Sequence, residues 1–328
     1  MAVGGESAER ALEAEEALYM SVAREVGDVV TLHCWCGNES MKVLATRRSK
    51  RFSVVTCEAC DTCYNFPRPV PDKEAASRCY CESKSFPERY SPQAEVWAHE
   101  YVEHMSRLLS RRGLRLTAYR KVLDVGCGGG QLVAILCNMG MAAEGIDLDS
   151  KCIAYAKRLH PQGTFHIGRI EDLDRGPYDL ITGMNLLEHV PDPKPFTETV
   201  SKMLVPGGIF IGVVPNISSV SFAVLGAHWG LLSPSEHVTL FAPPTLSVCL
   251  RAAGFTAVDW FCARNPLILP LQAVRQFLDL TRSTGWVSAG RYVVWCALEN
   301  AARTLTALSR RTDAGEKLFF LARKGETI

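Results

Sequence analysis

The sequence predicts an α/β protein built on a parallel sheet with helices on both faces. Three observations lead there. From Lys121 onward, short apolar runs alternate with helical patterns, as expected of strands joined by crossover helices. A glycine-rich stretch follows the first of those runs directly. Apolar residues make up 47% of the 328 residues and charged residues 22%, enough to bury a sizeable core and to exclude wholesale disorder.

The elements follow in order. KVLDV (121–125) is a buried strand, followed by the glycine loop and a helix from Gln131 to Met139. AAEGID (142–147) is the second strand, and a helix runs from there to about Leu159. TFHI (164–167) and YDLITGM (178–184) are the third and fourth strands. PKPFTETVSKML (193–204) is a helix with proline near its start, and GIFIGVV (208–214) is the fifth strand. PPTLSVCLRAAGF (243–255) is a helix closed by Gly254, TAVDWFCA (256–263) the sixth strand and KLFFLARK (317–324) the seventh. Residues 266–310 interrupt the alternation with two helices, the second striped by Val294, Leu298, Ala301, Leu305 and Leu308. That stripe must bury against the protein's own core or against a second copy, so a homodimer through 266–310 is one of two expectations.

Four regions result. Residues 1–30 carry an amphipathic helix over 5–26, residues 31–82 are rich in cysteine, residues 83–118 are linking helices, and residues 119–328 form the main domain. Charge is balanced, 36 Lys+Arg against 35 Asp+Glu, so no global field draws the chain to nucleic acid or anionic lipid. A local basic run, Lys42, Arg47, Arg48, Lys50 and Arg51, lacks interleaved aromatics and reads as a solvated loop rather than a nucleic-acid contact. The 13 cysteines are odd in number, the first residues are acidic without an apolar core, and Cys137 and Cys249 fall in helical patterns. These features predict reduced thiols and a cytoplasmic protein. The uncharged stretch from Met203 to Ser235 is long enough to span a membrane, but its prolines and five glycines suit a buried strand plus loop, so no span is expected.

The glycine loop indicates a ligand. VLDVGCGGGQL puts Gly126, Gly128 and Gly130 between a strand and a helix, where backbone N–H groups are open to close approach. The dinucleotide pattern G-x-G-x-x-G fails, because its last position is Gln131. Asp124 precedes the loop and suits an ammonium group rather than a pyrophosphate. Asp147 ends the second strand, where an acid can accept both ribose hydroxyls. A ribose with a cationic amino acid and no phosphate describes S-adenosylmethionine.

On these residues the chain resembles the class I S-adenosylmethionine-dependent methyltransferases over 119–261. VLDVGCGGG, GIDLD, YDLITGMNLLEHVPDP and LVPGGIFIGVVPN stand in that family's order. The resemblance implies a Rossmann-like seven-stranded sheet and cofactor roles for Asp124, Gly126, Gly128, Asp147 and Asn185. Where such proteins often carry Gly-Asp after the third strand, this chain has Gly168-Arg169, so the adenine contact would fall to Glu171 or a backbone group.

Cys34 and Cys36 form a C-x-C pair, and Cys57 and Cys60 a C-x-x-C pair, with twenty residues between the two pairs. Four thiolates can close a tetrahedral zinc site with no open position, which predicts a structural metal. The stretch Cys34 to Pro69 also resembles the zinc ribbon found ahead of many bacterial small-molecule methyltransferases. Such modules place an apolar residue where Cys63 stands, so Cys63 reads as packing. Cys79 and Cys81 read as thiols without a partner pair.

Methyl transfer needs alignment and removal of an acceptor proton. The carboxyl ends of the strands select Asn185, Glu188 and His189, then Asn216, then Glu236 and His237 in SPSEHVTLF. His237, His189 and Glu236 are the candidate catalytic residues, with His237 placed over the acceptor by the family pattern E-H-x-x-x-F. Tyr90, Tyr101 and Trp229 are candidates for the acceptor pocket or for packing. The domain pair suggests a sugar or aminosugar-derived acceptor in antibiotic or polysaccharide biosynthesis, methylated on O, N or C. The EHVPDP loop supports an alternative, a quinone- or phenol-type O-methyltransferase. A third reading, a ribbon docking a partner over an inert core, is opposed by the intact Asp124 and Asp147.

Overall fold

A computed structural model describes residues 34–46, 53–66, 92–233, 236–263 and 315–326. The expected helix over 5–26, the basic residues 47, 48, 50 and 51, Cys79, Cys81, Tyr90 and the insertion 266–310 lie outside the described residues.

A small antiparallel sheet comes first in the chain: β1 (Met41–Thr46), β2 (Ser53–Cys57) and β3 (Cys63–Phe66). Helix α1 (Pro92–Ser110) follows. The main unit then runs β4 (Lys121–Val125), α2 (Gln131–Asn138), β5 (Ala142–Asp147), α3 (Ser150–Leu159), β6 (Thr164–Ile167), β7 (Tyr178–Met184), α4 (Pro193–Met203) and β8 (Leu204–Pro215). It continues with a short helix α5 (Val220–Leu225), β9 (Thr239–Leu240), α6 (Pro243–Ala252), β10 (Phe255–Ala263) and β11 (Lys317–Lys324). All seven expected strands of the main sheet are present, in the order β10-β11-β8-β7-β4-β5-β6. Strands β6, β5, β4, β7 and β8 are parallel, while β11 runs antiparallel between β8 and β10.

The sequence explains the layers. Val122, Leu123 and Val125 of β4 are buried because helices cover both faces. On one face Met105, Leu108 and Leu109 of α1 meet Leu132, Val133 and Leu136 of α2 and Ile153 of α3. On the other, Phe196 and Val200 of α4 meet Leu246 and Leu250 of α6 over Phe210 and Phe320. Helix starts are capped where the sequence supplies a short acid: Asp149 accepts from Lys151 N at α3, and Asp192 accepts from Lys194 N at α4. Phe261 and Phe319 stack at 5.4 Å beside His104, which seats α1 across the β10–β11 edge.

The short helix α5 and the strand β9 were not expected. β9, two residues inside the SPSEHVTLF segment, pairs with β3, so the small sheet is four-stranded in the order β1-β2-β3-β9. The cysteine-rich module is thereby joined edge-on to a loop of the main unit.

Candidate active site

Ligands of open α/β sheets gather beyond the carboxyl ends of the strands. At the end of β4, Asp124 is 4% exposed and its Oδ1 accepts from Thr182 Oγ1 at 2.7 Å. Burial pushes its carboxyl up to about 7, with the Asp147 charge adding and the Thr182 hydroxyl opposing. Asp147, 6% exposed at the end of β5, ties that strand to the glycine loop. Its Oδ2 accepts from Gly128 N and its Oδ1 from Asp149 N, both at 2.9 Å. Each carboxylate oxygen has two lone pairs, so one group can hold the loop and a ligand hydroxyl together.

The loop glycines serve different ends. Gly128 has φ +51°, and a Cβ there would meet nothing within 4 Å, so it borders open space beside the Asp147 carboxylate. Gly130 has φ +80°, and a Cβ would lie 2.7 Å from the Phe165 ring and 2.9 Å from Ala156. Its glycine therefore lets α2 start flush against β6 and α3. An open cradle between a buried acid for a cation and an acid for hydroxyls fits S-adenosylmethionine. Asn185, just past β7, has a left-handed φ of +50°, a conformation that non-glycine residues seldom adopt. Its Nδ2 donates to Tyr101 Oη at 2.6 Å, tying α1 to the mouth of the site.

On the far side of Asn185, the turn Leu187–His189 faces the segment that carries His237. Glu188 is 1% exposed, and its Oε1 lies 4.0 Å from both His189 Nε2 and His237 Nε2. The imidazole rings meet edge-on, centroids 4.8 Å apart. His189 Nδ1 donates to Glu236 O at 2.9 Å, and His237 Nδ1 donates to Leu231 O at 2.8 Å. A carbonyl only accepts, so both neutral rings carry their proton on Nδ1 and turn Nε2 lone pairs toward the carboxylate.

Backbone bonds clamp this arrangement from two sides. Val238 N donates to Glu188 O at 2.7 Å, linking the two loops directly. From the small sheet, fully buried Asn65 donates through Nδ2 to Leu232 O and His237 O, each at 2.8 Å, and through its backbone N to Val238 O.

The four cysteines also converge. Cys34, Cys36, Cys57 and Cys60 place their sulfurs within 4.8 Å of one another, with Cys34–Cys60 at 3.3 Å and Cys36–Cys57 at 3.7 Å. Thiolates at ~2.3 Å from a tetrahedral zinc stand roughly 3.8 Å apart, so the donor set fits that ion. Ala59 N and Asn38 Nδ2 both donate to Cys57 Sγ at 3.4 Å. Burial raises that thiol, but these donors outweigh it and bring it down to about 7. The Tyr64 hydroxyl lies 3.0 Å from Cys34 Sγ and accepts from Trp35 N. Cys63 stands apart and packs with Val54, Trp229 and Leu240, as expected.

Some expected residues do other work. Glu236 enters the cluster through its carbonyl, and the carboxylate beside the two rings belongs to Glu188. Trp229 is fully buried, with Nε1 donating to Glu316 Oε1, and packs in a core rather than lining a pocket. Asn216 is a strut, its Nδ2 donating to Gly315 O at 2.8 Å. Sequence reasoning missed Thr182, Tyr64 and Asn65. Only Asn65 could have been suspected, as a polar residue in the otherwise apolar alternation of β3.

A family model described as "Methyltransferase domain" matches residues 97–259. A "Ubiquinone biosynthesis O-methyltransferase" of Aromatoleum aromaticum is 34% identical over 165 residues, 46% of this chain and 70% of the relative. One of the same name from Xylella fastidiosa is 35% identical over 186 residues, 52% of this chain and 73% of the relative. A solved Haemonchus contortus phosphoethanolamine N-methyltransferase in complex with S-adenosyl-L-methionine aligns with TM-score 0.48 and 16% identity, over 80% of this chain and 62% of that one. No helix among the described residues is long and apolar enough to cross a membrane.

Proposed function

The chain belongs to the class I S-adenosylmethionine-dependent methyltransferases, and from that premise we propose that it methylates a hydroxyl oxygen of a quinone- or phenol-type small molecule. The observation that carries this reading is the buried Glu188–His189–His237 cluster at the mouth of the sheet. A phenol resembles the tyrosine side chain, with a pKa near ~10, and must lose its proton for its oxygen to attack at neutral pH. Two imidazoles sharing one carboxylate are equipment for that step. An amine arriving neutral would need no such group before transfer. The activity for which the relatives are named supports the same acceptor class over the sugar or aminosugar that the ribbon alone suggests.

When bound, S-adenosylmethionine supplies a methyl group activated on a sulfonium. Asp124 would face its ammonium, Asp147 its ribose hydroxyls, and Gly126 and Gly128 would let it approach the loop backbone. Asn185 and Tyr101 close the space between that loop and the cluster. His237 and His189 then hold the acceptor hydroxyl, and the clamp from Asn65 and Val238 fixes the direction from which it approaches. The four cysteines would hold one structural zinc, keeping β3 where β9 can pair with it.

The test is turnover of the full chain with S-adenosylmethionine against phenols, hydroquinones, aminosugars and nucleotide sugars, with products read by mass spectrometry. A methyl ether formed on the phenolic acceptors is expected. Methylation confined to sugars or amines would overturn the reading.

A further inference from the structure

The geometry points to Glu316 and Lys317, at the head of β11, as the specificity-determining pair of the acceptor site: together they hold a second hydroxyl of the acceptor, one that is not methylated. This deepens the phenol reading above and rests on it.

Topology puts the pair at the mouth. β11 runs antiparallel to β8 and β10, so its first residue, Lys317, pairs with Pro215 at the carboxyl end of β8 and with Ala263 at that of β10. Glu316 O accepts from Asn216 N, one residue past β8, at 2.8 Å. Lys317 Nζ stands 5.9 Å from the centre of the Tyr101 ring, whose hydroxyl accepts from Asn185. Burial lowers the pKa of this ammonium, and the charges of Glu100, Glu188 and Glu316 oppose that. Lys317 is therefore within electrostatic reach of both α1 and the turn that carries Glu188.

Glu316 is 5% exposed, and one of its two carboxylate oxygens is engaged. Oε1 accepts from Trp229 Nε1 at 3.4 Å, while Oε2 is buried with no hydrogen-bond partner among the described residues. Burial raises the carboxyl, against the Ser221 hydroxyl, the Trp229 N–H and the Lys317 charge. A buried acceptor without a donor is costly, so a ligand that brings an O–H to Oε2 gains over one that does not.

The two groups complement one chemistry. An ammonium only donates and a carboxylate only accepts, whereas a hydroxyl does both. A hydroxyl would accept from Lys317 Nζ and donate to Glu316 Oε2. A methoxy group has no proton for Glu316. A carboxylate would satisfy Lys317 but meet the charges of Glu100, Glu188 and Glu316, and an ammonium would be repelled by Lys317. Anchoring the second hydroxyl holds the ring, so that the first meets His237 and His189 in one orientation.

The test compares full-length enzyme on phenol, catechol, resorcinol, hydroquinone, guaiacol and salicylate with S-adenosylmethionine. At least one of the diols should exceed phenol ~100-fold in kcat/KM, because a site built to bond a hydroxyl leaves buried groups unpaired when that hydroxyl is missing. Guaiacol and salicylate should not exceed phenol. Lys317→Met keeps the apolar stem without the donor. Glu316→Gln presents an amide N–H in place of Oε2 while its oxygen still serves Trp229. Each should cut the diol preference at least ~10-fold, through KM rather than kcat, with affinity for S-adenosylhomocysteine unchanged. The same loss should appear in the calorimetric affinity of that diol for the S-adenosylhomocysteine complex. A wild type that treats phenol and every diol alike overturns the pair and leaves the phenol reading standing, and that measurement needs no variant to fold. Full diol preference in both variants also overturns the pair, and reduces Glu316 to a support for Trp229. Activity confined to sugars or amines overturns the phenol reading and the pair with it.

Discussion

Asp124 is a carboxyl held almost without water, so its protonation should report on the cofactor. Its folded pKa of about 7 lies above the ordinary 3.8, so the folded chain binds the extra proton between those values. The stability it lends is therefore complete below pH ~4 and is lost as pH rises through ~7. An ammonium placed against it favours the carboxylate. Binding of S-adenosylmethionine at pH 6 should release close to one proton, read by calorimetry in buffers of different ionisation enthalpy. Asp124→Asn should abolish the release, and buffer-independent heats in the wild type would remove Asp124 from the ammonium. Asp147→Ala should weaken the cofactor tenfold or more, through loss of a charged hydrogen-bond acceptor worth ~1.5–3 kcal/mol. At the acceptor, His237→Ala should lower turnover ~100–10,000-fold while cofactor affinity and melting temperature hold. His189→Ala is the matched comparison, and full activity in both variants would show that alignment alone suffices. These acids and histidines were legible because each sits at a strand end or in a named loop. Glu188 was harder to rank. Sequence adjacency favoured Glu236 as the partner of His237, whereas in space the carboxylate beside both rings comes from a turn 49 residues earlier.

At the scale of elements, β9 is two residues long, too short for any alternation to mark it, and its existence depends on the β3 edge it meets. The long strands announced themselves because burial on both faces demands continuous apolar runs, as in KLFFLARK. The antiparallel course of β11 is a matter of connection rather than composition. The β3–β9 contact gives Asn65 a role that can be measured. Asn65→Leu removes both side-chain bonds to the carbonyls of Leu232 and His237 while keeping the volume roughly constant. Turnover should fall by at least tenfold, and affinity for S-adenosylhomocysteine should stay within twofold, because the cofactor loop lies on other strands. A parallel loss of both would mean that Asn65 supports the whole fold rather than the acceptor loop.

For the molecule as a whole, the two sheets have no strand in common, yet a backbone bond from Ile217 N to Phe241 O joins a residue just past β8 to the residue past β9. Protein purified without added metal or chelator should carry one zinc on Cys34, Cys36, Cys57 and Cys60, measurable by elemental analysis. Cys57→Ser should strip that ion and loosen β1–β3, seen as faster amide exchange there, while β4 to β8 keep their protection. Equal exchange in both sheets would mean that the thiolates do not govern the small one. The layered architecture was visible in the alternation of strands and helices, but the joint between the sheets was not. It depends on backbone pairing between residues far apart in sequence, and side-chain patterns do not encode such pairing.

That joint also sets an order of assembly. The four cysteines all emerge by residue 60, so metal can organise β1 to β3 early in synthesis. The strand that completes their sheet begins at Thr239, 175 residues after its partner Tyr64. At roughly 5–20 residues per second, β3 waits about 9–35 s at the ribosome with its outer edge open. An open edge invites pairing with other chains, and the wait is longest where translation is slow. The acceptor loop is thus the piece that ends this exposure, and newly made chains stalled before residue 240 are the ones that should aggregate.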